Sequence, residues 1–343
     1  MTPAQEKTRR HLVGNTQTRT EPYESAIEAL RSVLAEGSQS PQYMVRKIDG
    51  LQDPQFVPKK AAAMRTLVLK ETAVIINGDG QIKVGGDYNS AGETISIDRA
   101  IFKQSRAAQA GMGLEFWPHL APKFAGKEGL MYTEEQPKAF AVVNPSDLAL
   151  IPDDADIQES PIPIFLADID RHNQKSYGVR YKLTRRQMLM RGERQTAAEL
   201  MTAIVTGLSR VVDKIAVAAI LANNPTTFSL AKAAESGVRY KDLRGLVGTN
   251  GDGAFCGSDN ELKVLPFNLN GWQAGGIPAE LTPVTSKTIV GQFDRALAVL
   301  GTDMSILVSR LNKNGDVNVE AWLGVDVVAP NAGRFWLVQH LGA

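Results

Sequence analysis

The sequence is short of almost everything that marks a catalytic centre. Among its 343 residues are one cysteine, Cys256, and four histidines, His11, His119, His172 and His340. One thiol excludes an internal disulfide and a cluster of metal-binding thiolates, and it suits a reducing compartment. The four histidines are scattered without ligand spacing, so each reads as a surface or turn residue. Charge of neither sign dominates: 38 Lys and Arg stand against 37 Asp and Glu, a formal net charge of +1. That balance excludes a global field drawing the chain onto nucleic acid or a membrane, and leaves only local polyanion contacts. No apolar run approaches the roughly 20 residues that cross a bilayer. The polar start MTPAQEKTRR does not read as a signal peptide. The expectation is a chain made soluble in a cytoplasm, with no membrane partner, and with Met1 at its start a maturation cleavage there is disfavoured. What is present is a 43% hydrophobic chain, enough for one large or two medium domains with a substantial core.

Enzyme signatures fail at specific residues. Gly126-Lys127 is followed by Glu128, and Ala121 stands where a phosphate-binding loop needs its first glycine. Gly111-Met112-Gly113 is followed by Phe116 where a dinucleotide fingerprint needs its third glycine. There is no GxSxG elbow. Cys256 sits in a Gly-rich loop, where a lone thiol is usually inert. The acid pairs Asp153-Asp154 and Asp168/Asp170 lack the twelve-residue spacing and terminal Glu of a calcium loop. No catalytic residue, metal site or cofactor is expected.

Along the chain, residues 1–21 are polar and without hydrophobic period and read as an extended arm carrying Lys7, Arg9 and Arg10. Pro22 followed by Tyr23, Ile27, Leu30, Leu34 and Gly37 predicts a short amphipathic helix. Thr66 to Ile76, the turn Asn77-Gly78-Asp79-Gly80 and Gln81 to Val84 predict a hairpin. Residues 95–110 read as a helix and 111–124 as a loop. The acidic, Pro-containing stretch 144–160 suits an exposed loop, and Ile162 to Asp170 and Ser176 to Leu183 read as two strands around Arg171-His172-Asn173-Gln174. In the second, Tyr177, Val179, Tyr181 and Leu183 alternate with Gly178, Arg180 and Lys182, a period of two with one apolar face. Thr196-Ala-Ala-Glu199 reads as a capping box opening a helix that runs to Asn223-Asn224-Pro225, with Leu200, Ile204, Leu208, Val211, Ile215, Ala218 and Ala222 on one face and Arg210, Asp213 and Lys214 on others. Residues 248–260 are a Gly- and Asp-rich loop. Strands over 317–322, 325–329 and 334–338 close the chain.

A charged ribbon running into a long one-sided helix, then a mixed domain and a closing strand, resembles the coat proteins of tailed bacteriophages, whose fold is shared with herpesvirus capsids. The run QKSYGVRYKLTRRQML (Gln174 to Leu189) resembles that family's second E-loop strand leading to the spine helix. IVGQFDRALAVLG (Ile289 to Gly301) is similar to its axial-domain strand, and GVDVVAPNAGRFWLV (Gly324 to Val338) to its closing pattern. The likeness covers residues 144–343. It implies an α+β fold with an extended β-ribbon (E-loop), a long spine helix in a peripheral domain and a mixed axial domain. The boundaries it implies are an arm over 1–21, an N-terminal α+β region over 22–143 whose place in the fold is open, a ribbon over 144–186, a peripheral domain over 187–240 with its helix at 196–222, an axial domain over 241–330 and a terminal strand over 331–343.

The function it implies is that of a major capsid protein, self-assembling as hexamers and pentamers into an icosahedral shell around a genome, without catalysis. Such a subunit works in the virion capsid after synthesis and assembly in the host cytoplasm. Its partners are itself, a portal, a scaffold, a decoration protein and packaged double-stranded DNA held without sequence readout. Two alternatives stay open, an encapsulin-like nanocompartment shell of the same fold and an unrelated cytoplasmic α/β enzyme. Residues 147–170 carry seven acids, Asp168 and Asp170 among them, whereas Arg171, Lys175, Arg180, Lys182, Arg185 and Arg186 follow as six bases. That split either sets the register of one subunit's ribbon over its neighbour or simply solvates a hairpin. Lys7, Arg9 and Arg10 either touch packaged DNA or dock on a scaffold or neighbour. Some members weld their shells through a Lys–Asn isopeptide bond. Lys175 or Lys182 with Asn331 would be the pair here, but no Glu follows Asn331, and cross-linking is not expected.

Overall fold

The computed structural model describes residues 23–39, 43–46, 55–58, 62–77, 92–117, 123–124, 130–131, 139–143, 161–168, 174–250, 258–262, 276–312, 314–330 and 332–338. Its architecture is mixed α+β, with two six-stranded sheets. The axis of the first, the long sheet, is β20 (Val317–Val328). Val317, Val319, Ala321, Leu323, Val325 and Val327 are buried along one face of it, and the intervening residues are half-buried on the other. This is the period of two that a strand imposes on its side chains. Strand β12 (Lys175–Leu183) runs antiparallel along one edge of β20, from Lys175 opposite Val325 to Leu183 opposite Val317. Along the other edge β18 (Leu297–Gly301) and β19 (Asp303–Arg310) lie end to end. Outside these, β7 (Gly113–Trp117) pairs parallel to β18 and β4 (Ala62–Val68) antiparallel to β19.

The second, short sheet is ordered β13 (Thr226–Thr227), β21 (Phe335–Val338), β17 (Thr288–Gly291), β14 (Arg244–Gly248), β16 (Ile277–Thr282), β15 (Glu261–Leu262). Its own core joins Val247, Ile277, Val290 and Trp336 to Ala233 of α6 (Leu230–Glu235). A third sheet holds β1 (Glu24–Ser25), β5 (Thr72–Ile76) and β6 (Glu93–Ser96). Three two-stranded pairs remain: β2 (Tyr43–Arg46) with β3 (Gln55–Pro58), β8 (Lys123–Phe124) with β9 (Leu130–Met131), and β10 (Ala139–Val143) with β11 (Ile164–Asp168).

The helix α5 (Glu193–Ala222) has 30 residues, about 45 Å at 1.5 Å per residue. It packs on β20 and on α1 (Ala26–Gly37), α2 (Ile97–Gln104) and α3 (Arg106–Gln109). Leu200, Ile204, Leu208, Val212, Ala216 and Ile220 form its buried stripe. These elements share one hydrophobic cluster with Ala63 and Leu67 of β4, Val74 and Ile76 of β5 and Ile95 of β6, so these N-terminal elements join the same core as the long helix and sheet.

Several expectations need correction. The first helix starts at Ala26, where Ser25 accepts the amide of Glu28, and not at Pro22. Thr66 to Ile76 is two strands in different sheets, β4 and β5, and the described partner of β5 is β6; the expected strand at 81–84 lies outside the described residues. The helix expected over 95–110 is broken at Ser105, whose extended backbone and hydroxyl cap α3. The loop expected over 111–124 contains the strand β7. The strands expected over 317–322 and 325–329 are one strand, Val317–Val328, running through Gly324, where a Cβ would stand 2.7 Å from the Gln174 side-chain oxygen. The long helix begins at Glu193, so Thr196 lies inside it and its hydroxyl donates to the Gly192 carbonyl at 2.9 Å. The capping box is instead Thr184-Arg-Arg-Gln187, opening the short helix α4 (Arg185–Arg191). Gly192, at φ +79°, separates α4 from α5, a backbone conformation that favours glycine.

Candidate assembly surfaces

The two strands expected to form one charged hairpin are both present but have other partners. β11 pairs with β10, Asp168 standing opposite Ala139 and Ile164 opposite Val143. β12 pairs with β20 in nine consecutive positions. Local pattern reveals a strand but not a partner 142 positions later in the chain, which is the separation of Val179 from its partner Ala321. Of these two strands, only β11 therefore stands apart from both six-stranded sheets, in the ribbon β10–β11.

The root of this ribbon is anchored. Phe140 packs against Trp117, Leu297 and Val299 at the β7–β18 end of the long sheet, Val142 is buried, and Arg295 donates to the Val143 carbonyl at 3.5 Å. Its outer strand is different. Ile164, Phe165 and Leu166 are consecutive and all exposed, at 42%, 40% and 64%, with Ile162 before them at 74%. Successive strand residues face opposite ways, so apolar surface is bare on both faces. Single exposed apolar side chains are ordinary, but a contiguous group marks a surface that another chain covers.

The basic residues divide. Arg180 and Lys182 share the outer face of β12, and Arg180 already pairs with Glu320, its cross-strand neighbour, at 2.8 Å. Lys175 is on the opposite face by register and is exposed. Arg185 opens α4, its amide donating to the Asp316 carboxylate at 3.1 Å. That hydrogen bond, after one from the Asn312 side chain, holds the Asp316 carboxyl below the usual range. Lys7, Arg9, Arg10, Asp170, Arg171 and Asn331 lie outside the described residues, as do residues 144–160. The apolar face of β12 covers α5: Tyr177, Tyr181 and Leu183 are half-buried, and between Tyr177, Tyr181, Gly207, Val211 and Met304 runs an apolar groove of about 240 Å³.

Sequence reasoning missed Asp213. The sequence pattern sets it with Arg210 and Lys214 off the apolar face, yet it is 3% exposed and accepts three hydrogen bonds, from the Ser105 hydroxyl at 2.7 Å and the amides of Arg106 and Ala107 at 3.1 and 3.0 Å. Burial pushes its carboxyl up, and these donors oppose the rise. The signal was available: Ser209, Asp213, Ala216 and Ile220 keep the spacing of a single helix face. Arg106, next in this chain of contacts, pairs with Glu280 of the short sheet at 3.1 Å, so one carboxylate ties α5 to α3 and α3 reaches β16. Among the described residues, no group of three or more His, Cys, Asp or Glu is placed to hold a metal, and no helix is long and apolar enough to cross a membrane.

No family model matches the chain, and no curated protein does. Among solved structures it is similar to a chain of the capsid of an empty GTA particle, at 10% identity and a TM-score of 0.45, over 68% of this chain and 89% of that one. It is also similar to the mature capsid of bacteriophage PhiM1, at 8% identity and 0.37, over 78% and 92%, and to a virus-like particle from Pyrococcus furiosus, at 11% and 0.37, over 71% and 96%. Two are capsids and the third is a virus-like particle.

Proposed function

We propose that the chain is a shell subunit, the major capsid protein of a tailed bacteriophage, which assembles as hexamers and pentamers around a DNA genome in the host cytoplasm. The observation that carries this reading is the β10–β11 ribbon, anchored at one end and bare of cover on both faces of its outer strand. A ribbon of this kind gains its missing burial from neighbouring copies, which is how a subunit stays folded alone and binds several neighbours at once. In this reading β10–β11 is the core of the E-loop, α5 is the spine helix beside the long sheet of the peripheral domain, and the short sheet belongs to the axial domain. The role is structural and uses no cofactor. A portal, a scaffold, a decoration protein and packaged DNA are the other partners such a shell meets.

Electron microscopy of the purified protein, alone and with the products of neighbouring reading frames, beside size-exclusion chromatography, tests it. Uniform hollow shells, or hexamers and pentamers, are the expected outcome. A discrete monomer or dimer under every condition would sink the reading.

A further inference from the structure

The interface between α5 and the long sheet is left unfilled at one place. On the face of β12 that turns to α5, Tyr177, Val179, Tyr181 and Leu183 follow at every second position, and all but Val179 are half-buried. Val179 stands in the middle of this row, opposite the buried Ala321, yet it is 37% exposed. The cause lies on the helix. Ala203 and Gly207 are its residues at this groove, and a Cβ built on Gly207 would meet nothing within 4 Å among the described residues. A glycine inside a helix destabilises it relative to alanine, and here no close approach of another described segment requires one. The space left is the groove of about 240 Å³. An apolar cavity of roughly 150 Å³ takes a benzene ring, so the groove has room for a ring or a medium-length alkyl chain.

One end of this groove is basic. α5 runs along β20 in the same direction: Glu193 at its start borders the same cavity as Gly315, just before β20, and Asn223 past its end donates to the Ala329 carbonyl at 2.7 Å. Lys175, opposite Val325 and on the face of Tyr177, therefore lies toward the second half of α5. Arg210 and Lys214 lie in that half, three and seven residues after Gly207 and so on the helix face that carries it. All three bases are exposed and in no ion pair among the described residues, and no described acid lines the groove.

We propose that this groove is a binding site for a small amphipathic carboxylate, a free fatty acid of medium chain length. Its alkyl chain lies between β12 and α5, and its acid group meets Lys175, Arg210 and Lys214. The apolar walls supply the affinity, and the opposite charges fix which end of the ligand lies at the basic residues. The site is formed within one chain, so it goes beyond the shell reading and does not depend on it.

Calorimetry with octanoate, and with 1-octanol as its uncharged counterpart, tests it. Octanoate is expected to bind wild type one to one and to raise its melting temperature. Gly207→Leu fills the groove from the helix and is expected to abolish binding. Val179→Trp fills it from the strand and repeats the measurement on an independent variant. Arg210→Ala/Lys214→Ala is expected to weaken octanoate roughly tenfold and to leave 1-octanol unchanged. Octanoate that does not bind wild type, or that binds the folded filled variants as tightly, overturns the proposal. So does 1-octanol binding wild type as tightly as octanoate, which leaves the bases no part. If wild type ignores octanoate and Gly207→Leu lowers particle yield, a second copy covers the groove instead and the fatty-acid site is lost.

Discussion

Asp213 and the β10–β11 ribbon are opposite departures from the rule that charge faces water and apolar surface does not. The first is a carboxylate in the interior of α5, the second a run of Ile, Phe and Leu on the surface. Their surroundings differ in one respect. Asp213 has every donor it needs from its own chain, Ser105, Arg106 and Ala107. Ile164, Phe165 and Leu166 have no such cover among the described residues. A departure that is complete within the chain is part of folding, and one left incomplete points outward, to association.

Breaking the buried half should cost the most. Asp213→Ala strands three donors in the interior and is expected to destabilise the monomer by about 3 kcal/mol, since each unsatisfied buried group costs about 1–3 kcal/mol; chemical denaturation measures it. The ribbon half should behave inversely. Phe165→Ser with Leu166→Ser is expected to leave monomer stability within about 0.5 kcal/mol, as for other surface changes, while light scattering shows assembly lost. An unaltered shell yield would remove the distinction drawn between the two regions.

Acid sharpens the comparison further. The Asp213 carboxyl is raised in the fold, so its contribution to stability is fully present below its ordinary value of 3.8 and is lost as pH rises through the raised value. The Asp316 carboxyl at the start of α4 is lowered, so its contribution is present above 3.8 and is lost as pH falls through the lowered value. The stability difference between wild type and Asp213→Asn should therefore fall with rising pH, and that between wild type and Asp316→Asn should grow; denaturation from pH 3 to 7 follows both. The smallest effect is expected at Arg180. Its pairing with Glu320 is exposed, and Arg180→Ala should cost roughly 0.5 kcal/mol. Particle yield should not change. A large assembly defect in that variant would place working charges on the outer face of β12.

Much of this was legible in the sequence where periodicity is strong. The end of α5 at Ala222 before Asn223-Asn224-Pro225 is where its pattern put it, and the strands expected over 176–183 and 334–338 run over Lys175–Leu183 and Phe335–Val338. Pairing was not legible, because the partner of β12 is β20, and nothing local to Tyr177 specifies Leu323. The start of α5 was obscured by rival signals: Thr196-x-x-Glu199 and Thr184-x-x-Gln187 both fit a capping box, and only the second has an extended residue at its head. Asp213 was misread because charge was given precedence over position, although the three- and four-residue spacing already placed it on the covered face.

The central strand of the long sheet and an interior strand of the short one, β20 and β21, come from residues 317–338, after every other described element has been synthesised. Until they leave the ribosome, β12 has no partner, β19 is covered on one side only, and β17 lacks a neighbour. Translation through residue 338 is thus a licensing step: until β20 and β21 are made neither six-stranded sheet is complete, and a subunit without them cannot compete for a place among its neighbours.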